Sequence, residues 1–412
     1  MHGLFNFFKT VSKKKIIILG LTNITDELCT LFPWEISYFI DVDQKYVGQT
    51  LFDKPILPPD ALINENHDSI AVIISGSYNI FVEESLKSLG LKPNESFWFG
   101  ANLIEWFYYH KSLCQPQPVH MQIIMMDGGL ASQLNKFAIG RLLESQLHVK
   151  VKYDLSWFEN CGMDVQNKER RLFALTKVFN VKIDAATEEE IKSYKAFYYY
   201  NHGKVYRYDE ELLQNSCNRY IDGYLANYQY FFLRGKELEN ELIFKMPLNK
   251  KNKEFKKQID TSCISIAIHV RRGDYVDSVH EVVDSDYYHR AVKEMVDRIG
   301  QDNIHFFIFS NDMQWVRDSL FLEYPVTYVD CNGNDDGGLD MYLMSRCKHF
   351  ILSNSGFGFW AAFLGRNGEK IVITPEKWFN INSPKMNERL QALIEGHDSG
   401  AAIPPNWLSI PV

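Results

Sequence analysis

The sequence predicts an α/β protein assembled from repeated parallel βα units. Three observations predict it: short apolar runs that read as buried strands, glycine-bearing or polar turns directly after them, and helical periodicity beyond the turns. The clearest unit is 264–275, where Ile264, Ile266, Ala267, Ile268 and Val270 form an apolar run that ends abruptly on Arg271, Arg272, Gly273, Asp274 and Tyr275. Open α/β sheets bind ligands at the carboxyl ends of their strands. Two planar guanidinium forks at such an end suit phosphate oxygens. The structural alternative is an ion pair with Asp274 that caps the strand.

At 412 residues the chain allows two or three domains, and 46% hydrophobic with 23% charged residues can fill their cores. A net charge of −8 argues against a nucleic-acid binder, whose footprint is basic. Seven cysteines, an odd number without a Cys-x-x-Cys pair, suggest a reducing compartment and neither a disulfide framework nor a zinc site. No apolar run approaches the ~20 residues of a membrane span, and no signal peptide is evident. Phe5, Phe7 and Phe8 beside Lys9, Lys13, Lys14 and Lys15 read either as a contact with an anionic membrane surface or as a solvated terminus.

In chain order, 15–22, 36–40 and 70–75 read as strands of a small Rossmann-like unit occupying 1–115. Its tract 38–59 resembles the N-terminal modules attached to bacterial surface-polysaccharide enzymes. Asp41 is placed to meet a ribose, but the first turn, Gly20-Leu-Thr-Asn-Ile-Thr, lacks the second and third glycines of a dinucleotide fingerprint. A structural or degenerate ligand module is the reading. Pro116 and Pro118 mark a linker. The next unit, 119–258, opens with a strand at Met121–Met126, a glycine turn at Gly128 and Gly129, and a helix from Leu130 through Leu143. That turn suits either a ligand near the helix N-terminus or close helix–strand packing. The segment 222–229 is polar and aromatic, as a cleft wall would be, and the lysine-rich run 245–257 reads as a solvated face or linker. In the last unit, 259–412, strands end at the arginine pair, at Ser310-Asn311-Asp312 and at Ser353-Asn354-Ser355. A helix runs over Ser285–Ile299, and Asp340 opens another before the last of these strand ends.

Together these strand ends suit a nucleoside diphosphate. Arginines neutralise phosphates, small polar residues with free backbone N–H groups cradle oxygens, and a carboxylate accepts the paired N–H donors of guanine. A Walker lysine loop is missing, and Asp335-Asp336 is a weak candidate for a divalent metal. The arginines must then stabilise the departing diphosphate themselves.

The stretch His269-Val-Arg271-Arg272-Gly-Asp274-Tyr275 resembles the HxRRxDY motif of glycosyltransferase family 11, the α-1,2-fucosyltransferases. Segments 128–141, 282–291, 307–312 and 340–360 are similar to further motifs of that family, in its order, so the resemblance spans roughly 119–380. It implies a GT-B fold, two facing Rossmann-like halves, preceded here by the small α/β unit. It also implies GDP-L-fucose as donor, no metal or other cofactor, and inversion at the anomeric carbon. The implied acceptor is a terminal galactoside on a free or lipid-linked oligosaccharide; the reducing-compartment signals and the phenylalanine–lysine terminus fit the cytoplasmic face of a bacterial inner membrane.

Residue by residue, the resemblance assigns Arg271 and Arg272 to the β-phosphate and its departure, and Asp340 to guanine or its ribose. Ser353, Asn354 and Ser355, with Gly128, Gly129 and Gln133, hold phosphate and sugar. His269 orients the arginine strand or the fucose, and Asp312 contacts the nucleotide or caps a helix. The base is open among Asp274, Asp277, Glu281 and Asp127. Three departures stand out: Ala131-Ser132 for a glycine–asparagine pair, Gly358-Phe359 in the third motif, and Asn311 where aspartate is common. A transferase of another GDP-sugar, such as GDP-mannose, and a non-catalytic nucleotide-sensing protein remain as rivals.

Overall fold

The computed structural model describes the chain except residues 1, 33–34, 77–78, 105–106, 108–119, 161, 163–169, 201–207, 277, 281, 334–335, 381 and 384–402. Three sheets follow one another along it. The first holds β1 (Lys15–Leu19), β2 (Ile36–Ile40), β3 (Thr50–Leu51), β4 (Lys54–Leu57), β5 (Ile70–Ile74) and β6 (Phe97–Phe99) in the order β3-β4-β2-β1-β5-β6. It is parallel apart from the β3–β4 pair. The second is β7 (Met121–Met125), β8 (Lys150–Asp154), β9 (Tyr198–Tyr200) and β10 (Arg219–Asp222), ordered β8-β7-β10-β9 and parallel. The third, also parallel, is β11 (Ile264–Val270), β12 (Ile304–Ser310), β13 (Val326–Val329), β14 (His349–Ile351), β15 (Val372–Pro375) and β16 (Leu408–Ile410). Its order is β13-β12-β11-β14-β15-β16.

Side-chain alternation on β7 shows how the sheets are layered. Ile123 enters a core shared with Ile16, Ile18, Ile73 and Trp98 of the first unit. Its neighbour Ile124 faces the other way, into a core shared with Ala267, Phe307, Phe350 and Trp360 of the third. The middle sheet is therefore covered on both faces. The second and third units face each other as GT-B halves do, joined by the Leu130–Leu147 and Gly356–Phe363 helices.

The N-terminal helix, His2–Val11, turns Phe7 into the core and packs Phe8 against it. Phe7 is 2% exposed and meets Trp98 edge-on at 5.2 Å, and Phe8 packs on Phe32. Lys14 donates to the carbonyl of Glu95 and Lys15 pairs with Glu65. Phe7 is thus withdrawn from any lipid surface, which corrects the membrane-contact reading for that ring, while Phe8 is half-buried; the Phe5 side chain and the Pro116–Pro118 linker lie outside the described residues. Among the described residues, no helix is long and apolar enough to cross a membrane. The lysine-rich run is also more than a linker: Lys250–Thr261 is a helix, capped by Asn249 and anchored by buried Ile259.

The first unit's nucleotide crevice is closed from within. Asp41, 6% exposed, accepts the N–H of Leu21 at 2.7 Å through one oxygen and that of Asp43 through the other. The first-turn N–H that a pyrophosphate would need is held by the chain's own carboxylate, whose charge repels an incoming anion.

Candidate active site

In the third sheet the strand order reverses between β11 and β14, and the crevice at such a reversal is where ligands bind. β11 delivers the arginines to one side of it and β14 delivers Ser353-Asn354-Ser355 to the other. Arg271 forms an ion pair with Asp274, its Nη2 2.8 Å from Oδ1, and lies 5.6 Å from the centre of the Tyr275 ring. Arg272 stacks on Trp315 at 4.3 Å, with Nε 3.5 Å from Asp312 Oδ2. Both the ion pair and the cation–π contact hold the forks in place without filling all their donors. Gly273 takes φ +30°, and Asn311 accepts the N–H of Arg272 at 2.9 Å.

Behind the arginines the polar residues fix the backbone. His269 is buried, shares a hydrogen bond with Ser353 Oγ at 3.0 Å, and is held neutral by burial and by Arg271, which push its pKa down to about 3. Asn354 donates to the carbonyls of His280 and Trp378 at 2.9 Å each. Ser355 caps the Gly356–Phe363 helix through the Phe357 N–H. Tyr287 and Tyr288 donate to the Leu352 and His269 carbonyls and so tie both strand ends to the Ser285–Ile299 helix. Asp312 Oδ1 caps the Met313–Ser319 helix.

Asp340 sits apart, beyond the end of β13. That strand is two positions from β11, roughly 10 Å by strand spacing. It accepts from Asn332 at 2.6 Å, and burial, opposed by that bond, lifts its pKa to about 7.

The second sheet presents its own carboxyl edge to this crevice. Gly128 takes φ +71°, and Gly129 starts the Leu130–Leu147 helix without a side-chain cap. A Cβ on Gly129 would meet nothing within 4 Å, so the first-turn N–H groups are open to an anion. Gln133 is fully committed: it donates to the Gly128 and Leu172 carbonyls and accepts from the Ala174 and Leu175 N–H groups. With all four bonds made inside the protein, it has nothing left for a ligand and instead supports the glycine turn. The helix starts abut, for a Cβ on Gly356 would lie 3.3 Å from that of Ala131. Asp127 pairs with Lys136, a buried lysine that sequence reasoning passed over; a charge amid Leu134, Phe137 and Ala138 was the available signal. Asp277 and Glu281 lie outside the described residues.

Two βα sheets meeting at their carboxyl edges, with paired arginines and an uncapped helix start in between, define an α/β protein with an anion-binding cleft. The family described as Glycosyl transferase family 11 matches residues 174–395, over half of the chain, and the chain belongs to it. It is thus a glycosyltransferase. An O-antigen biosynthesis glycosyltransferase, WbnK of Escherichia coli, is 26% identical over 63% of this chain and 95% of its own length. An alpha-1,2-colitosyltransferase of Escherichia coli is 32% identical over 38% of this chain and 55% of its own. Among solved structures, the fucosyltransferase NodZ from Bradyrhizobium is 12% identical, with a TM-score of 0.40 over 60% of this chain and 94% of that one.

Proposed function

We propose that the chain transfers L-fucose from GDP-fucose to a hydroxyl of an oligosaccharide, with inversion and without a metal, during synthesis of a surface glycan. The observation that carries this reading is the arginine pair at the strand reversal, opposite the uncapped start of the Leu130–Leu147 helix. A diphosphate there meets two guanidinium groups and a helix dipole, and Arg271 and Arg272 offset charge as it develops on the leaving β-phosphate. Asp340, in the first turn of the Gly337–Arg346 helix that follows β13, is the carboxylate we assign to the base of the same nucleotide. Gly128 and Gly129 offer backbone N–H groups to phosphate and sugar, whereas the Ser355 N–H is spent on the Ser353 carbonyl and Ser355 caps its helix beside them. His269, Gln133, Ser353 and Asn354 act behind them as positioning residues. The acceptor we assign is O2 of a terminal galactoside, and the compartment is cytoplasmic. We assign 119–258 to the acceptor side, 259–412 to the donor side, and 1–115 to a docking role, since Asp41 fills its anion position.

A second reading, another GDP-sugar as donor, is favoured by the colitosyltransferase relative. Calorimetry with GDP-fucose in the presence of EDTA, on wild type and Arg271→Ala, tests both. Binding that the substitution abolishes supports the fucosyl reading. Binding of a different GDP-sugar in preference to GDP-fucose moves the second forward, and no binding of any nucleotide defeats both.

A further inference from the structure

The second sheet has a strand reversal of its own, between β7 and β10, whose crevice opens toward the arginines. β7 leads into Asp127 and β10 ends on Asp222. Lys136, from the Leu130–Leu147 helix, lies between them, 1% exposed, with Nζ 2.7 Å from Asp127 Oδ1. The Ser132 hydroxyl donates to that same oxygen at 3.1 Å. Asp222 is occupied differently, accepting the Tyr198 hydroxyl at 2.6 Å.

The ion pair and the hydrogen bond to Asp127 therefore fall on one oxygen. Its Oδ2 has no partner among the described residues, and the side chain is 32% exposed. The open oxygen lies on the cleft. Tyr224 is close enough to feel the charge of Asp127 and the hydroxyl of Tyr275, and Tyr275 lies against Arg271. One turn further along, Ala131 abuts Gly356. A buried lysine costs desolvation, and a methionine would fill the same space without that cost. The ammonium makes sense where it fixes a carboxylate that has work to do. Asp274 is already taken up in the ion pair with Arg271.

We propose that Asp127 is the general base of the transfer, with Lys136 and Ser132 as positioning residues that hold Oδ1 and leave Oδ2 to the acceptor. The assignment rests on the transferase reading above. In the step, the acceptor hydroxyl gives its proton to Asp127 Oδ2 and its oxygen bonds to the anomeric carbon. The bond from that carbon to the β-phosphate oxygen breaks, and its electron pair leaves with GDP.

The test compares wild type, Asp127→Asn and the double variant Asp127→Asn/Lys136→Met, which removes the ammonium that the first leaves unpaired. We expect kcat for transfer to fall at least about 100-fold in both, with the calorimetric Kd for GDP-fucose within twofold of wild type. If the single variant is unfolded by melting, the double decides. A kcat within about threefold of wild type in the double variant means that Asp127 only balances Lys136, and overturns the assignment. Loss of donor binding in a folded double variant overturns it too, placing Asp127 in the donor site. A wild type that binds no GDP-sugar fails the transferase reading itself, and the base with it.

Discussion

Trp360 Nε1 donates to Asn135 Oδ1 at 2.8 Å, a buried bond between residues 225 positions apart. Each residue lies on the helix that follows a crevice strand, Asn135 after β7 and Trp360 after β14, so the bond sets one half of the cleft against the other. Phe231 packs on the indole at 4.8 Å and seals it from water. Asn135→Leu leaves the indole N–H buried without its acceptor, at about 1–3 kcal/mol. We expect a lower Tm and a transfer rate that falls more than donor affinity does. An unchanged Tm would show that the interface absorbs the loss.

The arginine turn is sterically fixed by one glycine. At Gly273, with φ +30°, any Cβ would collide with the Asn311 amide that holds the Arg272 backbone. Gly273→Ala should displace Asn311, release the Arg272 N–H and weaken GDP binding at least about tenfold, with about 1–3 kcal/mol of lost stability from overpacking. Calorimetry with GDP and thermal melts read the two effects separately.

Much of this was legible in the sequence because buried strands announce themselves as apolar runs. Ile36–Ile40 and the Ser285–Ile299 helix lie where the periodicity puts them. What the sequence hid was direction. Gln133 reads as a ligand residue, yet all its bonds turn inward. Phe7 reads as a surface residue, yet it fills a core made by strands far along the chain. Lys136 and Asn135 become partners of Asp127 and Trp360 only after the helix is rotated onto its sheet. One departure from the family motif is explained the same way: a Cβ at Gly358 would lie 2.8 Å from His269 Nδ1, so this chain cannot hold a larger residue there without moving the imidazole.

Tyr224 offers a test of the acceptor side. It is 55% exposed, next to Leu225, whose left-handed φ of +51° and buried side chain anchor the turn. An exposed ring beside Asp127 is a platform for the C–H face of a sugar. Tyr224→Ala should raise the acceptor KM about tenfold, the ~1.4 kcal/mol expected of one aromatic contact, and leave the Kd for GDP-fucose unchanged. Equal losses for donor and acceptor would place the ring in the donor site instead.

Asp340 couples stability and donor binding in opposite senses. Burial raises its pKa from 3.8 to about 7. The folded state thus holds the proton more tightly than the unfolded chain, so its contribution to stability is complete below about pH 4 and lost as pH rises through about 7. Asp340→Asn stays neutral and avoids that loss. It should melt above wild type at pH 8, by an amount on the order of 1–3 kcal/mol, and lose this advantage toward pH 4. Binding runs the other way, because only the ionised carboxylate accepts both N–H groups of guanine. Wild-type affinity for GDP should fall as pH drops from 8 to 6, whereas the variant should bind weakly at both. A wild-type affinity that stays flat over that range, with the variant still impaired, would mean that Asp340 shapes the pocket but does not read the base.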